Sequence, residues 1–179
     1  MRLLARLLYR IEITGQAPPG PCVVAANHES LLDPLVLAFA ARQPLHYLAK
    51  VELWRWPPGA WLMNALGGIP IRRDRRDLVS VGAAEELLRA GESVAIFPQG
   101  TVRGGVWTRG AARLALATGA PLVPVRIVGT ARALSRRRVG FPRIRIVVGE
   151  PIVVVAARPT VAAARELTRE LEARVVALQ

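Results

Sequence analysis

Two residues with the chemistry of a general base and its orienting carboxylate, His28 and Asp33, lie five positions apart in the sequence. A carboxylate that accepts a hydrogen bond from one ring nitrogen of a histidine fixes its tautomer, which leaves the other nitrogen free to take a proton from a hydroxyl group. Because five residues span about 500° on a continuous helix, His28 and Asp33 can pair only if the chain between them curls into a turn. Asp33 also stands directly before Pro34, so an ordinary helix N-cap is the alternative role for this carboxylate.

The elements that must position these two residues are predicted by hydrophobic patterning. Strand-like and helix-like segments alternate, which is typical of a single α/β domain with a mixed, mostly parallel sheet flanked by helices. The apolar run 22–26 suits a strand buried on both faces, and His28 follows it at the sheet edge where ligands bind in such folds. Segments 11–14 and 143–148 are expected at sheet edges, the second because its arginines alternate with apolar residues. The predicted strands are 11–14, 22–26, 45–49, 68–71, 93–97, 122–128 and 143–148, and the predicted helices are 34–41, 77–90, 108–118 and 160–178.

The composition limits the classes of partner. The 179 residues include 25 Lys and Arg against 13 Asp and Glu, a formal net charge of +12, which indicates an anionic partner such as nucleic acid, anionic lipid or a phosphorylated substrate. With Cys22 as the one cysteine and only two histidines, neither a disulfide scaffold nor a metal site is expected. Apolar runs fall short of the roughly 20 residues of a spanning helix, and arginines interrupt the amino-terminal apolar stretch, unlike in a signal peptide. The protein is therefore expected in the cytoplasm.

Four short segments occur in an order that resembles one known family. The string Asn-His-x-Ser-x-x-Asp at 27–33 resembles the His-x4-Asp motif of the phospholipid/glycerol acyltransferase family, of which the bacterial 1-acylglycerol-3-phosphate acyltransferases are typical. The segments 68–73, 97–101 and 123–127 resemble the second, third and fourth blocks of that family, and Arg73 stands at the arginine position of the second block. Four blocks in order, within residues 23–130, indicate membership of this family.

The third block departs from the family pattern at two positions. Gln99 stands where the family has glutamate, which keeps an acceptor oxygen and loses the negative charge. Val102 stands at the family's arginine, and Arg103 follows one place later. These departures concern the binding of the acceptor, whereas His28 and Asp33 match the first block.

The resemblance implies an activity and a role for each matching residue. The family transfers a fatty acyl group from the thioester of coenzyme A or acyl carrier protein to a hydroxyl, here expected to be that of 1-acyl-sn-glycerol-3-phosphate, giving phosphatidic acid. His28 would be the general base and Asp33 its partner, with no cofactor beyond the acyl donor and no metal. The expected substrate-binding residues are Arg73, Gln99, Gly100, Thr101 and Arg103, with backbone N–H groups of Gly100 and Thr101 as oxyanion donors and Arg73, Arg76 and Arg103 as phosphate ligands. For Arg76 the alternative is a solvated run of charge.

The amino-terminal residues have the pattern of a membrane-surface helix. Arg2, Arg6 and Arg10 recur at i, i+4 and i+8, with leucines on the opposite side, as in a basic amphipathic helix. We therefore predict a membrane-contact segment over residues 1–15 and an acyltransferase domain over residues 16–179.

A second candidate for membrane contact is the tryptophan-rich stretch 54–66. Trp54, Trp56 and Trp61 fall within eight residues interrupted by Pro57 and Pro58, and Trp prefers the level of the lipid headgroups. The alternative is that these side chains pack into the core as a helix stripe. Together the two segments predict a peripheral protein on the cytoplasmic face of the cell membrane, in contact with an anionic surface.

Three alternatives remain open. The acceptor could be another lysophospholipid or a lyso-aminolipid, and the departures at Gln99 and Val102 would also fit a family member that binds lipid without catalysis. A nucleic-acid-binding protein is the alternative from another class, based on the charge of +12. No helix-turn-helix, zinc or aromatic-platform pattern accompanies that charge, so no nucleic acid is expected.

Overall fold

A seven-stranded mixed sheet forms the centre of the molecule in the computed structural model, which describes residues 10–72, 77–102, 105–135, 138–139 and 142–179. The strands are β1 (Ile11–Thr14), β2 (Val23–Ala26), β3 (Leu45–Lys50), β4 (Gly68–Ile71), β5 (Ser93–Ile96), β6 (Leu122–Val128) and β9 (Ile144–Val148), with β7 (Leu134–Ser135) and β8 (Arg138–Val139) in a separate pair. The strand order in the large sheet is β1-β9-β6-β2-β5-β3-β4. Neighbours in this sheet are parallel except β6 and β9, which are antiparallel. The predicted mixed, mostly parallel sheet is confirmed.

The two strands predicted at edges have different positions. β1 is an edge strand, as expected, and pairs in parallel with β9. The prediction that the arginine-rich segment 143–148 lies at an edge is wrong, because β9 is enclosed between β1 and β6. Arg145 is exposed while Ile144 and Ile146 on either side are buried. The alternation therefore reports one solvated face of the sheet and not a solvated edge.

The segment 1–15, which we predicted to contact a membrane, is only partly described by the structure. Residues 11–14 form β1, so the sheet begins before residue 16, where we placed the start of the domain. Residues 1–9, which carry the amphipathic pattern, lie outside the described residues.

Helices cover both faces of the sheet, so β2 and its neighbours are buried on two sides. The helices are α1 (Asp33–Ala40), α2 (Pro57–Ala65), α3 (Leu78–Arg89), α4 (Gly110–Thr118), α5 (Thr130–Ala133) and α6 (Val161–Ala177), and a 3-10 helix spans Val51–Arg55. The buried apolar residues form two clusters. Val24 and Ala26 of β2 belong to one cluster together with Leu37 of α1, whereas Val23 and Ala25 belong to the other together with residues of α3, α4 and α6. This two-sided burial explains the continuous apolar run that predicted the strand.

Local sequence signals set one end of each of two helices. The Asp77 carboxylate accepts a hydrogen bond from the Ser80 N–H at 3.0 Å and caps α3. Gly119 ends α4 with a left-handed φ of 74°, a conformation that glycine adopts without steric cost.

Candidate active site

The first residue beyond β2 holds the chain at the carboxyl end of the sheet. The Asn27 side-chain amide donates to the carbonyl of Ile127 at 2.8 Å and accepts from its N–H at 2.7 Å. The side chain thereby continues, by one more residue, the pairing of β2 with β6, which ends in the backbone at Ala26 and Val125. After Asn27 the main chain no longer pairs with β6, so it can turn away from the sheet.

A tight turn follows and joins His28 to Asp33. The Asp33 N–H donates to the Ser30 carbonyl at 3.1 Å, which supplies the turn that the pairing requires. His28 Nδ1 lies 2.8 Å from Asp33 Oδ2, and Asp33 is fully buried. The predicted pair of base and carboxylate therefore exists in the structure.

The Asp33 carboxylate is held by three donors on one oxygen. Oδ2 accepts from the backbone N–H groups of Glu29 at 2.6 Å and Ser30 at 2.8 Å, in addition to His28. Asp33 is the first residue of α1, Leu32 occupies the cap position, and no side chain caps the helix. The alternative of an Asp33 N-cap is therefore wrong, because the carboxylate points back into the turn and not along the helix.

The imidazole of His28 is fixed in orientation and has one nitrogen available. Its ring stacks on Phe97, with centroids 4.4 Å apart and an angle of 26° between the planes. An ionised carboxylate can only accept a hydrogen bond. The Asp33 carboxylate therefore selects the His28 tautomer that has its proton on Nδ1 and its lone pair on Nε2. No described residue hydrogen-bonds to Nε2, and the side chain retains 14% exposure. The ring can therefore take a proton from a group that arrives at this edge.

Gln99, in the loop after β5, contacts the turn that carries His28. Its Oε1 accepts a hydrogen bond from the His28 N–H at 2.7 Å, so the amide braces the backbone of His28. Gly105 lies against this residue, because a Cβ there would come within 2.6 Å of the Gln99 carbonyl oxygen. The sequence predicts Gln99 as a substrate ligand, and the structure adds a contact with His28 that the sequence did not indicate.

Gly100 and Thr101, the two residues after Gln99, were also predicted to bind substrate. The Gly100 N–H donates to the Phe97 carbonyl at 3.0 Å, and the role of this N–H as an oxyanion donor remains a prediction. The positive φ of 69° at Gly100 allows this turn. Thr101 follows it and is exposed.

The predicted phosphate ligands Arg73, Arg76 and Arg103 lie outside the described residues. Strand β4, which precedes Arg73 and Arg76 in the sequence, is parallel to β2 and ends at the same edge of the sheet. At that edge the Arg72 N–H donates to Asp77 Oδ2 at 2.9 Å. This bond and the one from Ser80 lower the pKa of the Asp77 carboxyl.

Two further contacts of the site were not predicted from the sequence. The Gly129 N–H donates to Glu29 Oε2 at 3.3 Å, which joins the turn after β2 to the loop after β6. Phe97 belongs to the third block, but its stacking on His28 was not predicted. The position of Asn27, a polar residue directly after a buried strand, could have indicated its role. The sequence contains no pattern that indicates the contacts of Glu29 and Phe97.

The cysteine and the tryptophans lie away from the pair of His28 and Asp33. Cys22 is completely buried, and burial raises the pKa of its thiol, which disfavours the thiolate form that a nucleophile needs. Trp56 and Trp61 are exposed, and Trp54 donates to Asn64 at 2.9 Å. The core-stripe alternative therefore fails for Trp56 and Trp61.

Comparison with known proteins identifies one family for most of the chain. Residues 10–128 match the family model described as Acyltransferase. A lyso-ornithine lipid O-acyltransferase of Pseudomonas aeruginosa is 38% identical over 148 residues, which are 79% of this chain and 53% of that protein. The chloroplastic 1-acyl-sn-glycerol-3-phosphate acyltransferase BAT2 of Brassica napus is 32% identical over 157 residues, which are 80% of this chain and 45% of that protein. The chain thus spans about half the length of these curated relatives.

A solved structure has the same fold. The 1-acyl-sn-glycerophosphate acyltransferase PlsC of Thermotoga maritima superposes with a TM-score of 0.72, covering 97% of this chain and 76% of that one at 23% identity. Within the described residues, no helix combines the length and the apolar character needed to cross a bilayer.

Proposed function

The chain belongs to the acyltransferase family, and on this premise we propose that it transfers a fatty acyl group from a thioester to the hydroxyl of a lysophospholipid. The donor would be acyl-CoA or acyl carrier protein, with no other cofactor, and the preferred acceptor 1-acyl-sn-glycerol-3-phosphate, giving phosphatidic acid. One observation carries the proposal. His28 Nδ1 is paired at 2.8 Å with the buried Asp33 carboxylate, while no described residue occupies Nε2.

The chemistry proceeds in two proton transfers on His28. Nε2 removes the proton of the acceptor hydroxyl as its oxygen bonds to the thioester carbonyl carbon, which gives a tetrahedral oxyanion and an imidazolium. The Asp33 carboxylate stabilises the imidazolium through Nδ1. When the intermediate collapses, the C–S bond breaks and the imidazolium returns its proton to the departing thiolate. General base catalysis of this kind contributes roughly 10²–10⁴-fold.

No acyl-enzyme is needed in this sequence of steps. The attacking oxygen belongs to the acceptor, and His28 acts only on protons. Cys22, the one thiol of the chain, is completely buried, so it cannot reach a thioester at the sheet edge.

The acceptor must carry a group that suits a basic site. A phosphate would pair with Arg73 and Arg103 through charge-assisted hydrogen bonds, and the formal charge of +12 favours its approach. A lyso-ornithine lipid is the second candidate acceptor, because a relative named for that substrate is 38% identical over 79% of this chain.

We also propose that the protein works at the cytoplasmic face of a membrane, since its acceptor is a lipid. Exposed Trp56 and Trp61 and the amphipathic pattern of residues 1–10 support contact with an anionic surface. Removal of residues 1–10 should weaken binding to anionic vesicles, because each arginine contributes about 1 kcal/mol at most near such a surface.

An acyl-transfer assay tests the proposal. The wild type and His28→Ala are incubated with acyl-CoA or acyl carrier protein and a panel of acceptors that contains 1-acyl-sn-glycerol-3-phosphate and lyso-ornithine lipid, and the products are identified by mass spectrometry. We expect phosphatidic acid from the wild type and almost none from the variant.

Each other outcome has a definite meaning. Acylated ornithine lipid alone would assign the second acceptor, and binding without transfer to any acceptor would contradict the proposed enzyme. Binding to DNA in place of anionic vesicles would favour the nucleic-acid alternative.

A further inference from the structure

Six of the ten large apolar side chains that the described residues expose lie in segments that begin at the edge of the sheet that carries His28. β2, β3, β4 and β5 are parallel, so the segments that follow them emerge at one edge, here called the carboxyl edge. Six large apolar residues that remain exposed lie in these four segments. They are Leu31 after β2, Trp56 and Trp61 after β3, Leu78 and Val79 after β4, and Val106 after β5.

The opposite edge of the sheet has a different surface. The described part of the chain exposes four other large apolar residues, all of them valines: Val153, Val155, Val161 and Val176. Val153 and Val155 follow the bridge between Leu122 and Ile152 at the start of β6, which places them at the amino edge. No tryptophan or leucine accompanies them among the exposed residues of the described chain.

The two edges also differ in the balance of their exposed charges. Between the ends of β3, β4 and β5 and the helices that follow them, the described chain exposes four cations, Lys50, Arg55, Arg72 and Arg109, against one carboxylate, Glu52, while Asp77 is half-buried. Arg132 in α5, after β6, is also exposed. At the amino edge, exposed Arg42 and Arg158 are balanced by exposed Glu92 and Glu150. A surface that combines exposed Trp and Leu with an excess of cations complements the headgroups and outer acyl region of an anionic bilayer.

We propose that the carboxyl edge of the sheet is the surface with which this protein docks on an anionic lipid bilayer. The inference deepens the proposed function, because it names the partner of that same site and the orientation in which the two meet. Leu31 is three residues from His28, so docking through this edge brings the headgroup layer over the catalytic turn. A lipid acceptor then reaches His28 without leaving the bilayer.

Two pairs of valines provide a matched test. Val79 and Val106 at the carboxyl edge are 84% and 89% exposed, and Val153 and Val155 at the amino edge are 87% and 82% exposed. The double variants V79S/V106S and V153S/V155S thus remove the same apolar groups from equally exposed positions, and neither pair belongs to the catalytic or binding machinery. Co-sedimentation of the full chain with vesicles of phosphatidylglycerol and phosphatidylcholine measures the affinity, and thermal melts confirm that both variants are folded.

We expect V79S/V106S to lower the affinity for anionic vesicles roughly three- to tenfold, because two side chains lose apolar contact with lipid, and V153S/V155S to leave it unchanged. Adding Trp61→Ser to the first pair should lower it further. Equal effects of the two pairs, or no effect of either, would overturn the docking orientation.

A second measurement separates this result from the proposed function. Acyl transfer to a short-chain, water-soluble acceptor without vesicles should be the same in wild type and both double variants. Absence of transfer in all three would contradict the proposed function, whereas the docking orientation would still be decided by the difference in vesicle affinity between the two double variants.

Discussion

The two histidines of the chain belong to segments of one sheet that are separated by β5, and each is near a carboxylate, yet their surroundings differ. His28 follows the central strand β2, and its Nδ1 lies 2.8 Å from the buried Asp33. His46 lies within β3, one strand from the edge, and its Nε2 is 3.8 Å from Glu92, which is nearly half exposed. The other nitrogen of His46 is 3.3 Å from the carbonyl of Gly67.

This difference is the reason why we propose His28, and not His46, as the base. The Asp33 carboxylate cannot rotate away, because two backbone N–H groups and the His28 ring hold the same oxygen. Among the described residues no hydrogen bond holds the Glu92 carboxylate, and solvent weakens its attraction to His46. His46 instead packs on the tight turn at Gly67, where a Cβ would come within 2.8 Å of its Nδ1 and where φ is +63°. One histidine is thus oriented for proton transfer and the other packs against a turn.

Removal of the imidazole that we propose as the general base should have the largest effect. We expect His28→Ala to lower the rate of acyl transfer roughly 10²–10⁴-fold, since the general base is lost. Vesicle binding should not change, because the ring contributes little to the surface. The measurement is a steady-state transfer assay beside a vesicle co-sedimentation assay, and a near wild-type rate would exclude His28 as the base.

Asp33→Asn separates orientation of the base from its presence. The amide cannot hold Nδ1–H and stabilise the imidazolium as a carboxylate does, so the rate should fall roughly 10²-fold. The free energy of unfolding should also fall by about 1–3 kcal/mol, because Asp33 is buried and its Oδ2 receives two backbone N–H groups as well as His28. Kinetics and denaturant unfolding measure the two effects, and an unchanged rate would show that the pairing does not orient His28.

Gln99 offers a conservative and a disruptive substitution at the same contact. Gln99→Leu leaves the His28 N–H without its partner at 2.7 Å, and we expect kcat to fall roughly tenfold with little change in KM for the acceptor. Gln99→Glu retains an acceptor oxygen for the His28 N–H, so it should keep activity. A rise in KM without loss of kcat would instead place Gln99 in contact with the acceptor, as the sequence suggested, and the acceptor profile of Gln99→Glu would then shift.

His46→Ala is the matched control and should have the smallest effect. The rate of transfer is expected to stay within about twofold of the wild type, because neither contact of His46 reaches the site. Loss of packing on Gly67 should lower the free energy of unfolding by about 1 kcal/mol. A loss of activity comparable with that of His28→Ala would remove the distinction between the two histidines.

Much of this molecule was predictable from local sequence. Continuous apolar runs predicted the buried strands, and Asp77 and Gly119 lie at helix ends where such residues are common. The Asn-His-x-Ser-x-x-Asp string and the three blocks after it predicted the family and the pairing of His28 with Asp33. These features depend on neighbours along the chain or on which face of an element is buried, and both leave a pattern in the sequence.

Other features were decided only by the tertiary structure. The alternation in 143–148 predicted one solvated face but not that β9 is enclosed by β1 and β6, since strand order depends on pairings distant in sequence. For Asp33 the sequence allowed both a helix cap and a partner of His28, and the fold of the turn selected the second.

The support of the turn that carries His28 is the clearest case of tertiary control. Gln99 and His28 are 71 residues apart in sequence, and Asn27 and Ile127 are 100 apart. They meet because β5 and β6 flank β2 and all three end at one edge. The sequence by itself determined which residues could perform proton transfer and which segments are buried. The sheet decided which backbone groups hold the base in place, because hydrogen bonds between distant segments exist only once the strands are assembled in order.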